Sequence, residues 1–430
     1  MEAGFGRVCI TPPPGTRMFG WGTRDDAGGC DAVHDDLFAR ALWLRAGRED
    51  VLVMGFDLLF FSRDVADRLR GALGRRFDLA PRQILLNASH THNGPTTGTW
   101  WTALYRPPDT LYLDALEAAT LRAAEQALAA RRDAILKVGK TCVGLAVSRR
   151  SIGADGRAQW IANRENTIYD EVPIALFEGR DHRPICLLFS ISCHPSTVPG
   201  HTISADYPGA AMAALDEGLG RACSLFLQGV GGDTKVRSYR DEVAFGTTWD
   251  DVAGAGREAA DAVIAAVRSG LHRMAPSLRA QEIEVLLPMG PIPSRDAFAG
   301  IRDDVKESEI RRLWAGRMAA RLDRGEVLPT AFPITLHGLQ LGDGVRLVGI
   351  EGEATARLGY LVSACCGDRL TFPLGYADGC QLYLPTDSML PEGGYEVTSY
   401  DEYGFPAGLA PGIDGRVTKG IRALRAAGIR

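Results

Sequence analysis

Gln83-Ile84-Leu85-Leu86-Asn87-Ala88-Ser89-His90-Thr91-His92-Asn93-Gly94-Pro95 is the stretch on which the reading of this chain turns. Gln83 to Ala88 is an apolar run of strand length, and Asn93-Gly94-Pro95 is turn chemistry that stops it. Between them lie two histidines, His90 and His92. Residues two apart in extended chain share a face, so both imidazoles can reach one centre. In open α/β sheets, active-site groups collect at the carboxyl ends of strands, and this is such an end.

Outward from that point, runs of strand length alternate with helical patterns. Val51 to Phe56 reads as a buried strand and Asp64 to Arg76 as an amphipathic helix, with a long Ala/Leu/Glu helix over Leu111 to Arg131. Further strands are expected over Ile185 to Ser192, Ser224 to Gln228 and Gln281 to Leu287, with a helix over Asp250 to Val267. Ile334 to Leu341 and Val345 to Ile350, joined by Gly342-Asp343-Gly344, predict a hairpin. The pattern is α/β with mixed sheets flanked by helices. No internal repeat or low-complexity linker interrupts it. A single domain over 1–430 is expected, and the Pro-rich piece Pro288 to Pro293 is the best candidate for an internal boundary.

Composition narrows the class. The chain has 430 residues, 46% of them hydrophobic, enough to bury a large core. Its net charge of −5 is spread without blocks, which argues against a nucleic-acid or polybasic lipid-binding surface. The apolar run Val51 to Phe61 is too short to span a bilayer and contains Asp57. Met1 to Gly15 has no basic and apolar leader pattern, and nine cysteines without CxxC spacing suit reduced thiols. The expectation is a cytoplasmic protein with a small-molecule substrate and no stable membrane association; its oligomeric state is not readable.

Three further pieces can join the histidines. Cys193-His194-Pro195 ends a strand, and the proline makes continuation as a central strand unfavourable, so His194 is presented at an edge or in a loop. Asp206 precedes a helix and suits an N-cap, or a carboxylate supporting the site. Glu351-Gly352-Glu353 follows the hairpin, and its two carboxylates can face one side. Tyr383 lies in Gln381-Leu382-Tyr383-Leu384-Pro385-Thr386, where an aromatic residue ordinarily packs. Two histidines and a carboxylate are the pattern of a catalytic zinc with an open position. At this level each residue also has a bland reading, as packed histidine or surface acid.

Taken in order, the short motifs resemble the neutral/alkaline non-lysosomal ceramidase family. They are Cys9-Ile10-Thr11-Pro12-Pro13, Gly20-Trp21-Gly22, Phe38-Ala39-Arg40-Ala41, Ser89 to Pro95, Cys193-His194-Pro195, Asp206-Tyr207-Pro208-Gly209, Gln228-Gly229-Val230-Gly231-Gly232-Asp233, Gly352-Glu353, and Tyr383-Leu384-Pro385-Thr386 through Tyr395-Glu396. They span nearly the whole chain and cover the family's catalytic domain, a layered αββα fold. The family's C-terminal immunoglobulin-like domain is not expected. The resemblance implies one Zn2+ per chain held by His90, His194, Glu353 and Tyr383. It also implies that His92, Tyr395 and an arginine, Arg149 or its neighbour Arg150, contact the reacting carbonyl.

One departure stands out. Where the family usually has a serine shortly after Gly-Asp, this chain reads Gly232-Asp233-Thr234-Lys235-Val236. The expected activity is therefore zinc-dependent hydrolysis of an amide (N-acyl) bond in a small or polar substrate rather than in ceramide. An esterase, a lyase on a sugar-like substrate and a non-catalytic metal-binding protein are the alternatives. The loop Thr96 to Pro108, with Trp100 and Trp101, is expected to border the pocket without identifying the substrate.

Overall fold

Alternation within the strand Glu49–Phe56 sets the layering. Leu52, Met54 and Phe56 pack one way, against the helices Arg63–Phe77 and Thr110–Ala129, and Val51 and Val53 pack the other way. A computed structural model describes residues 1–22, 28–99, 107–241, 243–367 and 369–430. Among these, a nine-stranded mixed sheet runs in the order Ser224–Gln228, Pro184–Ile191, Glu171–Gly179, Arg132–Cys142, Glu2–Cys9, Phe38–Ala46, Glu49–Phe56, Ile84–Ala88, with His272–Met274 beside Arg132–Cys142.

A four-stranded sheet, Pro276–Pro288, Ala331–Gly342, Val345–Ile350 and Thr371–Leu374, lies against it. One core cluster joins the facing sides, with Leu42, Val53, Phe177 and Leu225 from the large sheet meeting Leu339, Leu347 and Phe372 from the small one. The outer face of the small sheet carries the helices Ala356–Cys366 and Ile413–Ala426 through Leu358, Val362, Val417 and Ile421. The helices Asp206–Gly218 and Trp249–Ser269 cover the other end of the large sheet. The order helix, sheet, sheet, helix is the αββα layering expected from the sequence.

Most of the elements read from sequence lie where the pattern puts them. The helix expected over Asp64 to Arg76 is Arg63–Phe77, and the hairpin pairs Gly342 with Val345. The Leu111 to Arg131 helix is Thr110–Ala129, and the strand Arg132–Cys142 starts almost at once. Pro288 ends a long strand, and the segment after it is tied to residues 408–410 by backbone hydrogen bonds before the helix Arg295–Asp303. No described helix is long and apolar enough to cross a membrane.

Candidate metal centre and active site

After the strand Ile84–Ala88 the chain turns at His90, whose φ of +67° is a costly left-handed conformation for a non-glycine residue. The two histidines are thus not in extended chain, which corrects the i, i+2 argument. The turn, fixed by the His90 N–H donating to the Leu58 carbonyl at 2.8 Å, brings both rings inward all the same. The His92 N–H donates to the Pro195 carbonyl, tying this turn to the one that presents His194.

His194 follows the strand Pro184–Ile191 and is fully buried. Asp206 is not an N-cap: it is the first residue of its helix, with a φ of +54°, after Ala205. Its carboxylate accepts from the Thr197 amide at 2.9 Å and hydroxyl at 2.7 Å, so it pins the loop that leaves His194. Tyr207 donates its hydroxyl to the Cys193 carbonyl from the same helix. Asp233 accepts from the Ala356 amide at 2.8 Å, which anchors the helix Ala356–Cys366 against the Gly231-Gly232 turn. Burial raises the Asp233 carboxyl to about 6.

The segment that follows the small sheet's strand Val345–Ile350 supplies the carboxylate. Glu353 begins a two-residue strand paired in parallel with Tyr383–Leu384, so that Glu353 and Tyr383 stand opposite each other. Gly352, at a φ of +145°, separates the two glutamates of this segment. Glu351 turns away and accepts from Nε and Nη2 of Arg63, at 2.8 and 2.6 Å. Glu353 turns into the cluster.

Five ligand atoms converge there. His90 Nε2 lies 2.9 Å from His194 Nε2 and 3.1 Å from His92 Nε2. Glu353 Oε2 lies 3.2 Å from His90 Nε2 and 3.4 Å from His194 Nε2, and the Tyr383 hydroxyl is 3.2 Å from His194 Nε2. Bonds of about 2.0–2.1 Å to a tetrahedral ion set ligand atoms about 3.3 Å apart, so these spacings are those of a first coordination sphere. His92 belongs to the cluster as well as the expected ligands.

The tautomers point the same way. Nδ1 of His90 faces the Leu59 carbonyl at 2.8 Å, that of His194 the Gly231 carbonyl at 2.8 Å, and that of His92 the Gly20 carbonyl at 2.5 Å. A carbonyl only accepts, so each Nδ1 carries the hydrogen and each Nε2 presents a lone pair to the others. Lone pairs this close repel unless a cation lies between them. Burial, then His90 and Arg149, lowers His194 to about 3, and burial with its two neighbours holds His92 well below its ordinary value. Burial alone would raise Glu353, but His90 and His194 outweigh it and hold the carboxyl well down. Lowered His92 and His194 and an ionised Glu353 are the protonation tendencies a divalent ion needs. The residues fit a zinc-like ion.

A second group, Glu282, His337 and Asp378, shows the contrast. His337 Nδ1 donates to Asp378 at 2.5 Å and Nε2 donates to the Arg82 carbonyl at 2.8 Å, so no ring lone pair is left for a metal.

Above the converging atoms is a cavity of about 480 Å³. Arg149 lines it and Arg150 does not. The Arg149 guanidinium lies 5.1 Å from the Tyr383 ring and 5.6 Å from that of Tyr395, with Nε on Glu396 at 2.7 Å. Among the described residues its buried Nη2 meets no hydrogen-bond acceptor. Arg150 is occupied by Glu396, Glu392 and the Gly393 carbonyl. Tyr395 also lines the cavity and donates to Glu402 at 2.7 Å.

The sequence reading does not single out Tyr376 and Tyr403, whose hydroxyls donate to the two oxygens of Glu353 at 3.3 and 2.9 Å. Nothing in their local sequence marks them. Lys235 lines the cavity too, where the sequence shows only the departure after Asp233. Trp100 and Trp101, expected at the pocket border, lie outside the described residues.

No protein-family model matches the sequence, and no curated protein matches it. Solved structures do. The neutral ceramidase from Pseudomonas aeruginosa superposes with a TM-score of 0.74 at 17% identity, over 99% of this chain and 74% of that one. A ceramidase complexed with C2 gives 0.75 at 16% identity, over 99% and 75%. The chain has the fold of the neutral ceramidases.

Proposed function

We propose that this protein is a zinc-dependent hydrolase that cleaves the amide (N-acyl) bond of a small or polar substrate. The observation that carries the reading is the convergence of three imidazole Nε2 atoms and the Glu353 carboxylate on one point at the cavity floor. The likeness in fold to ceramidases supports an amide as the substrate bond. A zinc ion bound there supplies Lewis acidity and a water whose pKa falls to about 7.

The chain's own groups do the rest. Leu59, Gly231 and Gly20 carbonyls fix the three rings, and Tyr376 and Tyr403 fix Glu353. The Nη2 of Arg149 is a preorganised donor for the charge that develops on the carbonyl oxygen, with the ring of Tyr395, whose hydroxyl is held by Glu402, beside it. Apolar walls from Phe60, Trp160 and Leu59 exclude water around that oxygen.

Incubation of the zinc-reconstituted protein with matched amide and ester libraries, with product detection, tests this. Amides should be cleaved, and a chelator or His194→Ala should abolish cleavage. Turnover of esters alone, or well under one metal per chain after reconstitution, would overturn the reading.

A further inference from the structure

The strand Thr234–Val236 is short, and its residues alternate in role. Val236 faces the core between the large sheet and its helices, and the Thr234 hydroxyl bonds back to Ser192 and Gly231 carbonyls. Lys235, between them, faces the other way, into the cavity above the metal cluster. It is only 9% exposed. Its backbone bridges to His194, so its position is tied to the cluster itself.

A buried ammonium ordinarily has a carboxylate beside it. Among the described residues, no hydrogen-bond acceptor and no ion-pair partner meets Lys235 Nζ. It is flanked only by ring faces, Trp21 at 5.1 Å and Phe245 at 5.5 Å. The acids nearby are engaged elsewhere: Asp206, whose charge reaches Lys235, with the Thr197 amide and hydroxyl, Glu353 with two histidines and two tyrosines, Glu402 with Tyr395, and Glu396 with Arg149 and Arg150. Trp21 stands between Lys235 and the metal cluster. Its ring meets His92 edge-on at 5.5 Å, and its indole N–H is held by Asn93 at 3.1 Å. The ammonium is thus one aromatic ring away from the reacting centre.

A buried cavity lysine that no acid of the described residues contacts is complementary to an anion. Phosphate or sulfate groups are better matched by several donors or an arginine fork. One lysine suits one carboxylate. Resting on the amide-hydrolase reading above, we infer that the substrate is an N-acyl amino acid and that Lys235 receives its carboxylate. Lys235 is then a specificity-determining residue, and the Thr234-Lys235-Val236 departure after Asp233 is what separates this site from one for a neutral lipid amide.

The test uses the metal-loaded protein and two matched pairs. N-hexanoyl-phenylalanine and N-hexanoyl-phenethylamine differ only in the carboxylate; their N-hexylsulfonyl counterparts resist hydrolysis and report binding by calorimetry. The native protein should favour the carboxylate member of each pair about 10- to 100-fold, the range of a charge-assisted hydrogen bond in a dry site. In turnover the preference should lie mainly in KM. Lys235→Met, similar in length and apolar, should bring both ratios close to one, and Lys235→Arg should keep part of them. Equal use of both members by the native protein, or a preference that survives in Lys235→Met, overturns the proposal. Selective binding of the sulfonyl acid with no cleavage of either amide would sustain the carboxylate site and remove the amide-hydrolase reading instead.

Discussion

At the scale of single residues, the site rests on which carboxylate and which imidazole does what. Glu351 and Glu353 are two apart, yet one holds Arg63 and the other the histidines. Glu353→Gln should therefore lose the metal by elemental analysis. Glu351→Gln should keep it while losing roughly 1–3 kcal/mol of stability from a broken, half-buried ion pair; metal loss in Glu351→Gln alone would reverse the assignment. His92 is a finer case. His90, His194 and Glu353 are mutually within 3.4 Å, whereas His92 is hydrogen-bond close to His90. His90→Ala should abolish metal binding. His92→Ala should retain measurable metal but lower turnover by about 10²–10³, as for one lost preorganised donor. Equal metal loss in the two variants would make the centre a three-histidine one. The histidines are legible in sequence because strand-ending His motifs are few. The geometry that joins them is not, since it depends on a left-handed His90 and on a Gly20 whose φ of +122° lets its carbonyl reach His92. A Cβ at Gly20 would stand 3.0 Å from the His92 ring.

At the scale of elements, the two sheets are joined at one edge by charge as well as by packing. His337 on the strand Ala331–Gly342 donates to Asp378, and Arg70 on the helix Arg63–Phe77 binds Glu282 and approaches Asp378. Burial disfavours the imidazolium, but Asp378 and Glu282 outweigh it and raise the His337 pKa above its ordinary value. Arg70 acts in the opposite sense. A group with a raised folded pKa contributes its full stabilisation below the unfolded pKa, about 6.5, and loses it as pH rises through the folded value. Asp378, lowered chiefly by His337 and Arg70 against its burial, contributes above about 4 and loses it in acid. Stability to urea should thus fall as pH rises above about 6.5, and His337→Gln should flatten that dependence. A variant whose pH profile parallels the native one would refute the role given to this cluster. None of this is visible in the sequence, because Arg70, Glu282, His337 and Asp378 are far apart along the chain and meet only when the sheets stack. The strands themselves are legible wherever both faces are buried, as at Val51 to Phe56, since a continuous apolar run needs no partner to be recognised.

At the scale of the whole molecule, the histidine–glutamate cluster lies across the join between the two sheets. His90 and His194 leave the carboxyl ends of strands in the nine-stranded sheet, and Glu353 follows the strand Val345–Ile350 of the four-stranded one. Tyr383 comes with Glu353 through their parallel pairing. The αββα layering could be anticipated from the ordered motifs, but the stacking of the sheets decides that these four residues meet. An ion bound there cross-links the layers and binds the folded state alone, so it stabilises by RT ln(1 + [M]/Kd), about 4 kcal/mol at a thousandfold excess over Kd. Removing it leaves buried Nε2 lone pairs and a buried carboxylate facing one another, which adds to the loss. Chelation should lower the Tm by several degrees, and readdition of zinc should restore it, with the Tm rising further as the logarithm of free zinc. Glu353→Gln should lack this response, whereas His337→Gln, outside the cluster, should be less stable but still respond. The measurement is thermal unfolding at a series of buffered zinc concentrations. A native Tm indifferent to zinc across that series, with the protein shown to be metal-free at the start, would mean that the two sheets are not joined through an ion.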